Sequence, residues 1–239
     1  MEVLNDLLGY KGLKIYQNTK MFSFSLDSVM LANFVKINKN TQKILDIGTG
    51  NAPIPLILST KTKCQITAVE IQKDVYELGK KSIMYNNLEE QINIINDDIC
   101  KIYKEMDNEI YDIITCNPPF FKITKDVKLS DSSYKQVARH ELFLDIDKLV
   151  KICKKLLKNN GALYLVHRPE RLCEIITKLK SGGLEPKRIK FIYPKKGENA
   201  NIILIEAIKM GKEGLKIEYP IISHNNDGSY TDDIVKLFS

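Results

Sequence analysis

The sequence predicts an α/β fold with one doubly wound, mostly parallel sheet of seven strands. Three observations lead to this prediction. From residue 43 onward, short apolar runs alternate with segments whose apolar residues recur at helical spacing. The apolar runs are rich in β-branched residues and are bounded by glycine, proline or acidic residues, as buried strands are. The two closing runs follow each other without a helix, so we expect an antiparallel last strand.

The first half of this core supplies four strands and two helices. Pro53 suits the first turn of the first helix, because proline lacks only an N–H that would have no partner there. Two prolines end the fourth strand, since they cannot continue a sheet ladder. The expected bounds are 43–48, 65–70, 92–96 and 111–117 for the strands, and 53–60 and 73–87 for the helices.

The second half continues the alternation. Apolar residues at helical spacing predict a helix over 142–159, which ends near Gly161. A fifth strand is expected over 161–167 and a further helix over 169–181, closed by a pair of glycines. The last two strands are expected at 186–193 and 200–209. Helices between consecutive strands indicate a parallel sheet with both faces covered.

Two segments lie outside these elements. Residues 1–42 precede the first core strand, and we expect them to form a short cap on one domain that spans 43–239. The polar stretch 121–141 follows the fourth strand. Open α/β sheets bind their ligands beyond the carboxyl ends of their strands, so this stretch is expected to be an active-site loop.

Composition excludes several classes of protein. The chain has 239 residues, of which 44% are hydrophobic and 28% charged, as in globular proteins. No apolar run approaches the roughly 20 residues of a membrane span, and the N-terminus lacks the apolar core of a signal peptide. We therefore expect a cytoplasmic protein, and we expect a monomer. Five cysteines without a C-x-x-C pair, and only three histidines, favour reduced thiols and no metal centre.

Charge is distributed unevenly along the chain. Residues 1–120 contain 13 Lys and Arg against 15 Asp and Glu, whereas residues 121–239 contain 23 against 15. This asymmetry favours a polyanionic partner, such as a nucleic acid, for the second half. A lysine-rich solvated surface is the alternative. The densest basic cluster consists of Lys187, Arg188, Lys190, Lys195 and Lys196.

The segment that follows the first strand resembles a ligand-binding turn. Gly48 and Gly50 allow the backbone to turn tightly and to approach a ligand closely. Dinucleotide-binding proteins have a third glycine where this chain has Pro53, and they use the helix N-terminus to bind a diphosphate. Asp46, just before the glycines, disfavours a diphosphate. It favours a ligand with a positive charge, such as an ammonium or a sulfonium.

Two further acidic residues follow the next strands. Glu70 ends the second strand, where a carboxylate can accept hydrogen bonds from both hydroxyls of a ribose. Asp98 follows the third strand and can accept from an adenine amino group, while the N–H of Ile99 meets a ring nitrogen. Each acid alone is as consistent with a helix cap. Together with Asp46 they match the amino acid, ribose and adenine of S-adenosylmethionine, and a nicotinamide cofactor is the weaker alternative.

The fourth strand ends in Asn117, Pro118, Pro119 and Phe120. The prolines stiffen the backbone, so that their carbonyl groups and the Asn117 amide oxygen present acceptors in fixed directions. An exocyclic amino group that donates both hydrogens to them would aim its lone pair at a methyl donor. Phe120 can stack on a planar target. A turn that only ends the strand is the alternative.

These motifs resemble those of class I amino methyltransferases that carry an N/D-P-P-Y/F motif. More narrowly, the chain resembles the bacterial tRNA-valine adenine-N6 methyltransferase family. The resemblance covers nearly the whole chain and rests on FSFSLDSVMLANF (22–34), ILDIGTGNAPIPLIL (44–58), VEIQKD (69–74), YDIITCNPPFF (111–121), ARHE (138–141), LYLVHRPERL (163–172) and ANIILIEAIK (200–209). It implies a Rossmann-like fold and the transfer of a methyl group from S-adenosylmethionine to N6 of an adenine in tRNA.

The resemblance also implies roles for individual residues. The residues expected to contact the cofactor are Phe24, Asp27, Asp46, Gly48, Gly50, Glu70, Ile71, Asp98, Ile99 and Asn117. Those expected to hold the target base are Asn117, Pro118, Pro119 and Phe120. Separately from the resemblance, charge and position beside the site suggest candidate RNA contacts, namely Arg139, His140, Arg168, Lys187, Arg188, Lys195 and Lys196. For His140 a helix cap, and for Arg168 a structural ion pair, are the alternatives.

Two departures from the family pattern keep other substrates open. Ala52 stands where a glycine is frequent, and Phe120 where a tyrosine is usual. NPPF also occurs in guanine-N2 methyltransferases of ribosomal RNA. Methylation of a guanine in rRNA, of an adenine in DNA or of a protein glutamine therefore stays open, as does a non-catalytic module that binds the cofactor and RNA.

Overall fold

Twenty regular elements, namely strands, helices and 3-10 turns, follow one another in the described part of the chain. In this computed structural model the described residues are 1–8, 10–19, 26–118 and 144–238. The strands are β1 (Glu2–Asp6), β2 (Lys14–Asn18), β3 (Lys43–Ile47), β4 (Gln65–Glu70), β5 (Ile92–Asn96), β6 (Tyr111–Cys116), β7 (Leu157–His167), β8 (Leu184–Tyr193), β9 (Ile202–Lys209), β10 (Lys216–Ile217) and β11 (Ile221–Ile222).

Helices and short 3-10 turns connect these strands. The helices are α1 (Leu26–Phe34), α2 (Pro53–Ser59), α3 (Lys73–Tyr85), α4 (Ile99–Ile102), α5 (Ile146–Leu156), α6 (Leu172–Ser181) and α7 (Asp232–Val235). Single 3-10 turns occur at Tyr10–Gly12 and Pro169–Arg171. Among the described residues, no helix has both the length and the apolar character that a membrane crossing requires.

The predicted mostly parallel sheet is confirmed. Its strands lie in the order β10-β8-β9-β7-β6-β3-β4-β5, and β11 also pairs with β8. Strand β9 is antiparallel to both of its neighbours, β7 and β8, while the other pairs are parallel. All seven predicted strands are present. The described sheet has nine strands because the two-residue strands β10 and β11, too short to give a sequence pattern, extend it beyond β8.

Both faces of the sheet are covered, which explains the continuous apolar runs. Ile44 in β3 packs into one core cluster, which contains residues of α1, α2 and α3. The next residue, Leu45, packs into the other cluster, against α5 and α6. Alternate residues of one strand thus serve opposite faces, and the site described below lies at the end of this doubly buried strand.

The largest difference from the predicted bounds concerns Gly161, which was expected to end a helix. Helix α5 ends at Leu156, and β7 begins at Leu157. The pairing of β6 with β7 shifts register between Tyr111 and Ile113, so Gly161 lies at an irregularity within a strand. A Cβ there would lie 2.9 Å from the carbonyl oxygen of Lys158. A glycine is needed here because any side chain would collide with the neighbouring backbone.

The first 42 residues contain more regular structure than a cap of unspecified form. Strands β1 and β2 pair as an antiparallel hairpin that packs on α3. The N–H of Tyr16 donates to Ser82 Oγ at 2.9 Å, and Asn51 Nδ2 donates to the carbonyl oxygen of Tyr16 at 2.8 Å. The hairpin is thereby tied both to α3 and to the glycine turn. The domain boundary between residues 42 and 43 stays a prediction.

Candidate active site

The candidate site lies at the carboxyl edge of the parallel strands. β3 pairs with β4 on one side and with β6 on the other, so the strand order reverses at β3. Ligands of open α/β sheets bind at such a switch point. Asp46 lies near the end of β3, Glu70 ends β4, and Asp98 and Asn117 follow β5 and β6. The topology thus brings the three predicted acids and the predicted amide to one edge.

The turn after β3 has an unusual backbone. Gly48 and Gly50 have φ values of 67° and 63°, and Ala52 has a φ of 70°. The N–H groups of Gly48 and Thr49 both donate to the carbonyl oxygen of Val69, at 2.9 and 3.0 Å, which fixes the turn against β4. A Cβ built on Gly48 or Gly50 would have no heavy atom within 4 Å. The turn therefore leaves open space beside its backbone, as a ligand cradle requires.

Asp46 is a fully buried carboxyl group with an incomplete set of hydrogen bonds. Thr115 Oγ1 donates to its Oδ1 at 2.5 Å. Its Oδ2, like the hydroxyl of Thr49, has no hydrogen-bond partner among the described residues. Burial raises the pKa of Asp46 to about 7; the hydroxyl groups of Thr115 and Thr49 oppose this shift, and the nearby charge of Glu70 adds to it. A buried carboxylate with one oxygen lacking a hydrogen bond destabilises the folded protein, unless a donor or a positively charged group of a ligand binds to that oxygen.

Glu70 stabilises the glycine turn, a structural role that could not be predicted from the sequence. Its Oε2 accepts from the N–H of Gly50 at 2.9 Å, and its Oε1 accepts from the N–H of Gln72 at 2.8 Å. The carboxylate thus braces the glycine turn from β4. Each carboxylate oxygen has two lone pairs, so these bonds leave acceptor capacity for the hydroxyls of a ribose.

Asp98 caps helix α4. Its Oδ1 accepts from the N–H of Cys100 at 2.9 Å, in the manner of an N-cap. The side chain is half-buried, and Ile99 beside it is buried. The cap uses one oxygen, and the other can accept from a ligand amino group. Asp98 can therefore cap the helix and accept a hydrogen bond from an adenine amino group at the same time.

The Asn117 side chain is oriented by a residue far away in the sequence. Its Nδ2 donates to Ser28 Oγ at 3.0 Å. Ser28 is buried in the first turns of α1. Because the amide nitrogen faces α1, the amide oxygen faces away from it. This contact could not be predicted from the sequence, because no local pattern indicates that α1 packs beside the end of β6.

The structure describes three of the remaining predicted site residues. Asp27 in α1, Ile71 after β4 and Pro118 are half-buried. Phe24, Pro119, Phe120, Arg139 and His140 lie outside the described residues. Within the described ranges, no cluster of three or more His, Cys, Asp or Glu side chains is arranged to hold a metal ion.

His167 and Arg168 end β7 beside this site. His167 is buried, and its Nδ1 accepts from the N–H of Arg168 at 2.8 Å. Burial, and next the charge of Arg171, lower its pKa to about 4, so the ring is neutral at neutral pH. Arg168 Nη1 donates to the carbonyl oxygen of Asn201 at 2.8 Å, which ties β7 to the start of β9. Contact of Arg168 with RNA stays a prediction.

The predicted RNA contact of Arg188 is wrong. Its side chain is buried and forms ion pairs with Glu206 and Glu218. The guanidinium also donates to the carbonyl oxygen of Phe34 at 3.0 Å and lies 4.2 Å from the centre of the Phe34 ring. Alternate residues of β8 face opposite sides, so the basic run of this strand cannot form one surface, and a phosphate cannot reach Arg188.

The other lysines of the cluster differ in their exposure. Lys187 Nζ donates to the carbonyl oxygens of Lys212 and Glu213, at 2.8 and 3.2 Å. Lys195 and Lys196 lie in the turn beyond β8, where Lys196 is exposed. Of the cluster, Lys196 is the residue with an exposed side chain, while Lys187, Lys190 and Lys195 are half-buried.

Comparison with known proteins agrees with this geometry. Curated relatives include tRNA1(Val) (adenine(37)-N6)-methyltransferase of Cytophaga hutchinsonii, which is 27% identical over 238 residues; these cover 98% of this chain and 96% of the relative. Another is the protein of the same name from Tolumonas auensis, 28% identical over 95% of this chain and 93% of the relative.

Solved structures share the fold. A protein described as a predicted O-methyltransferase from Agrobacterium tumefaciens superposes with a TM-score of 0.67 at 23% identity, over 88% of this chain and 94% of that one. TYW2 of P. horikoshii, solved in complex with MeSAdo, superposes with a TM-score of 0.61 at 12% identity, over 88% and 72%. Residues 13–181 match the methyltransferase small domain. The chain therefore belongs to the methyltransferase small domain family.

Proposed function

We propose that this protein transfers the methyl group of S-adenosylmethionine to the exocyclic N6 of an adenine in tRNA. The observation that carries the proposal is the buried Asp46 carboxyl beside the open glycine turn, one strand away from the Asn117 amide. The two curated relatives, similar along nearly their whole length, are named for this reaction on the adenine at position 37.

The described residues fit the cofactor. Asp46 Oδ2 and the Thr49 hydroxyl are buried polar atoms without partners in the described part of the chain, as expected where a charged amino-acid group is to be met. Glu70 and Asp98 have acceptor capacity for ribose and adenine. Bound there, the cofactor supplies an electrophilic methyl group on a sulfonium.

Asn117 would position the nucleophile. Ile47 of β3 pairs with Cys116 of β6, so the glycine turn and Asn117 leave neighbouring strands at the same level, about 5 Å apart. The Asn117 amide oxygen and the Pro118 carbonyl group would accept the two hydrogens of the adenine amino group. This holds the base in place and directs the nitrogen lone pair towards the methyl group. Catalysis then consists of positioning and electrostatic preorganisation, without a strong general base.

The RNA substrate would approach the same edge. Lys195 and Lys196 extend beyond β8, and Arg168 ends β7 next to Asn117's strand. Lysines that contact phosphates add affinity that does not depend on sequence. Phe120 would stack on the base, with Arg139 and His140 near the RNA backbone and Phe24 over the cofactor. We propose that the protein acts as a monomer.

The test compares substrate classes. Labelled S-adenosylmethionine is incubated with the protein and, in separate reactions, unmodified tRNA, ribosomal RNA and release-factor protein. The proposal predicts label in tRNA alone. It also predicts that Asn117→Ala retains cofactor affinity and loses most of the turnover. Label in ribosomal RNA or protein would contradict the substrate, and full turnover of Asn117→Ala would contradict the mechanism.

A further inference from the structure

A cleft at the outer end of the sheet is not used by the reaction described above. Nine residues line it: Lys196, Tyr219, Pro220, Ile222, His224, Asn225, Asn226, Thr231 and Asp233. Its volume is about 330 Å³, within the range of about 300–1,000 Å³ of small-ligand sites. We propose that this cleft binds an unpaired base of the RNA substrate, a few nucleotides from the target base. This inference rests on the proposed function.

The topology places the cleft on the same edge as the active site. β8 and β7 are both antiparallel to β9, so they run parallel to each other, and β11 is parallel to β8. The carboxyl ends of β6, β7, β8 and β11 therefore share one edge. Four strand spacings separate β6 from β11, or roughly 20 Å. A short single-stranded segment can span that distance along the edge.

The walls of the cleft are fixed by hydrogen bonds. Thr231 Oγ1 donates to the carbonyl oxygen of Ile222 at 2.6 Å, and Ser223 Oγ lies 2.8 Å from His224 Nδ1. The His224 ring packs against Tyr230 with a centroid distance of 5.0 Å. Asn225 Nδ2 donates to Ser229 Oγ at 3.0 Å. The cleft thus exists before a ligand binds, and binding would cost little ordering of its walls.

Tyr219 is the feature that indicates a planar ligand. Its side chain is 87% exposed, although a tyrosine ring carries a large apolar surface. Exposed aromatic rings beside basic residues are the stacking platforms of proteins that bind single-stranded nucleic acids. Lys196 is the basic residue of this cleft, and Lys195 adjoins it.

The charges indicate which part of a nucleotide enters. Asp233 would repel a phosphate inside the cleft, whereas its carboxylate can accept from the amino group of a base. The Asn226 amide can both donate to and accept from a base edge. Lys196 can meet a phosphate outside it. The base therefore enters the cleft, and the backbone passes over the lysine.

The test measures both RNA binding and turnover. The variant is Tyr219→Ala, with Tyr219→Phe as a variant that retains the stacking ring. Met210→Ala is the matched control: Met210 is 71% exposed and follows β9, so it lies at the opposite edge of the sheet. We measure binding of fluorescently labelled tRNA by anisotropy, the KM for tRNA and kcat, and check folding by thermal melting.

The proposal predicts that Tyr219→Ala weakens tRNA binding and raises the KM about tenfold, with unchanged kcat and unchanged cofactor affinity. Tyr219→Phe and Met210→Ala are expected to behave as wild type. Equal tRNA binding by Tyr219→Ala and wild type would overturn the cleft proposal, even if tRNA is methylated. If tRNA is not methylated, the proposed function fails, and the anisotropy measurement still decides whether the cleft binds RNA.

Discussion

Among the described residues, the orientation of the Asn117 side chain is set by the hydrogen bond that its Nδ2 donates to Ser28 Oγ. Removal of the Ser28 hydroxyl group would let the amide rotate and would turn its oxygen away from the substrate amino group. We expect Ser28→Ala to lower kcat about tenfold, the equivalent of one ordinary hydrogen bond, with little change in cofactor affinity. Steady-state kinetics and calorimetric cofactor binding measure the two effects separately.

A matched control is available in the neighbouring helix. Ser59 is also buried, and its hydroxyl donates to the carbonyl oxygen of Leu56 at 2.7 Å, within α2. Ser59→Ala tests the general cost of removing a buried hydroxyl group. If both variants lose the same fraction of kcat, Ser28 has no specific role in positioning Asn117.

Asp46 gives a prediction for pH. Its pKa is raised from 3.8 to about 7, so across that interval the folded protein holds a proton that the unfolded chain has released. The contribution of Asp46 to stability therefore falls as pH rises from about 4 to about 7. A cationic ligand pairs with the ionised form, so cofactor affinity should rise with pH through about 7.

Calorimetric titration of S-adenosylmethionine at about pH 5.5 and about pH 6.5 tests this. The upper value stays below the range in which an α-amino group loses its proton. We expect affinity to increase roughly eightfold, which follows from the change in the ionised fraction of a group with this pKa. The Asp46→Asn variant should bind weakly and with no such dependence. A flat profile for the wild-type protein would show that the Asp46 carboxylate does not meet the cofactor.

In strand β8, the position of a basic residue in the sheet determines whether its side chain is buried or exposed. Arg188 is buried between Glu206 and Glu218, and loss of one partner leaves buried charge without compensation. We expect Arg188→Met to lower the free energy of unfolding by about 3 kcal/mol. Chemical denaturation measures this effect.

The Arg188→Met variant also distinguishes a structural role of Arg188 from a role in RNA binding. For the folded Arg188→Met protein we expect a wild-type KM for tRNA, whereas Lys196→Ala should raise that KM without a loss of stability. A large increase in KM for Arg188→Met at unchanged stability would restore Arg188 as an RNA contact.

The sequence was sufficient to predict the seven main strands, because each is a buried run with a clear pattern. It could not reveal that Gly161 lies within a strand, since a glycine after a helical pattern also marks a helix end. It indicated Asp46, Glu70, Asp98 and Asn117, because their chemistry follows from strand order. The bracing of the glycine turn by Glu70 and the burial of Arg188 depend on contacts between distant segments, which no local pattern encodes.

At the scale of the whole molecule, both ends of the chain contribute to one edge of the sheet. The N-terminal helix α1 supplies Ser28, and the segment after β9 forms the cleft that contains Tyr219. Asn33 of α1 bonds the C-terminal segment directly, because its Nδ2 donates to the carbonyl oxygen of Leu237 at 3.5 Å. Arg188 of β8 bridges the same two segments: it pairs with Glu218 and donates to the carbonyl oxygen of Phe34 at 3.0 Å. Both ends of the chain therefore help to form the edge at which we propose that the RNA binds.

The most direct test of the central claim is nucleoside analysis of methylated tRNA. Unmodified tRNA is incubated with the protein and labelled S-adenosylmethionine, digested to nucleosides and separated by chromatography. The account predicts that the label is in N6-methyladenosine and is absent from reactions with Asn117→Ala. Label in N2-methylguanosine, or an unlabelled tRNA in the presence of a cofactor-binding protein, would contradict it.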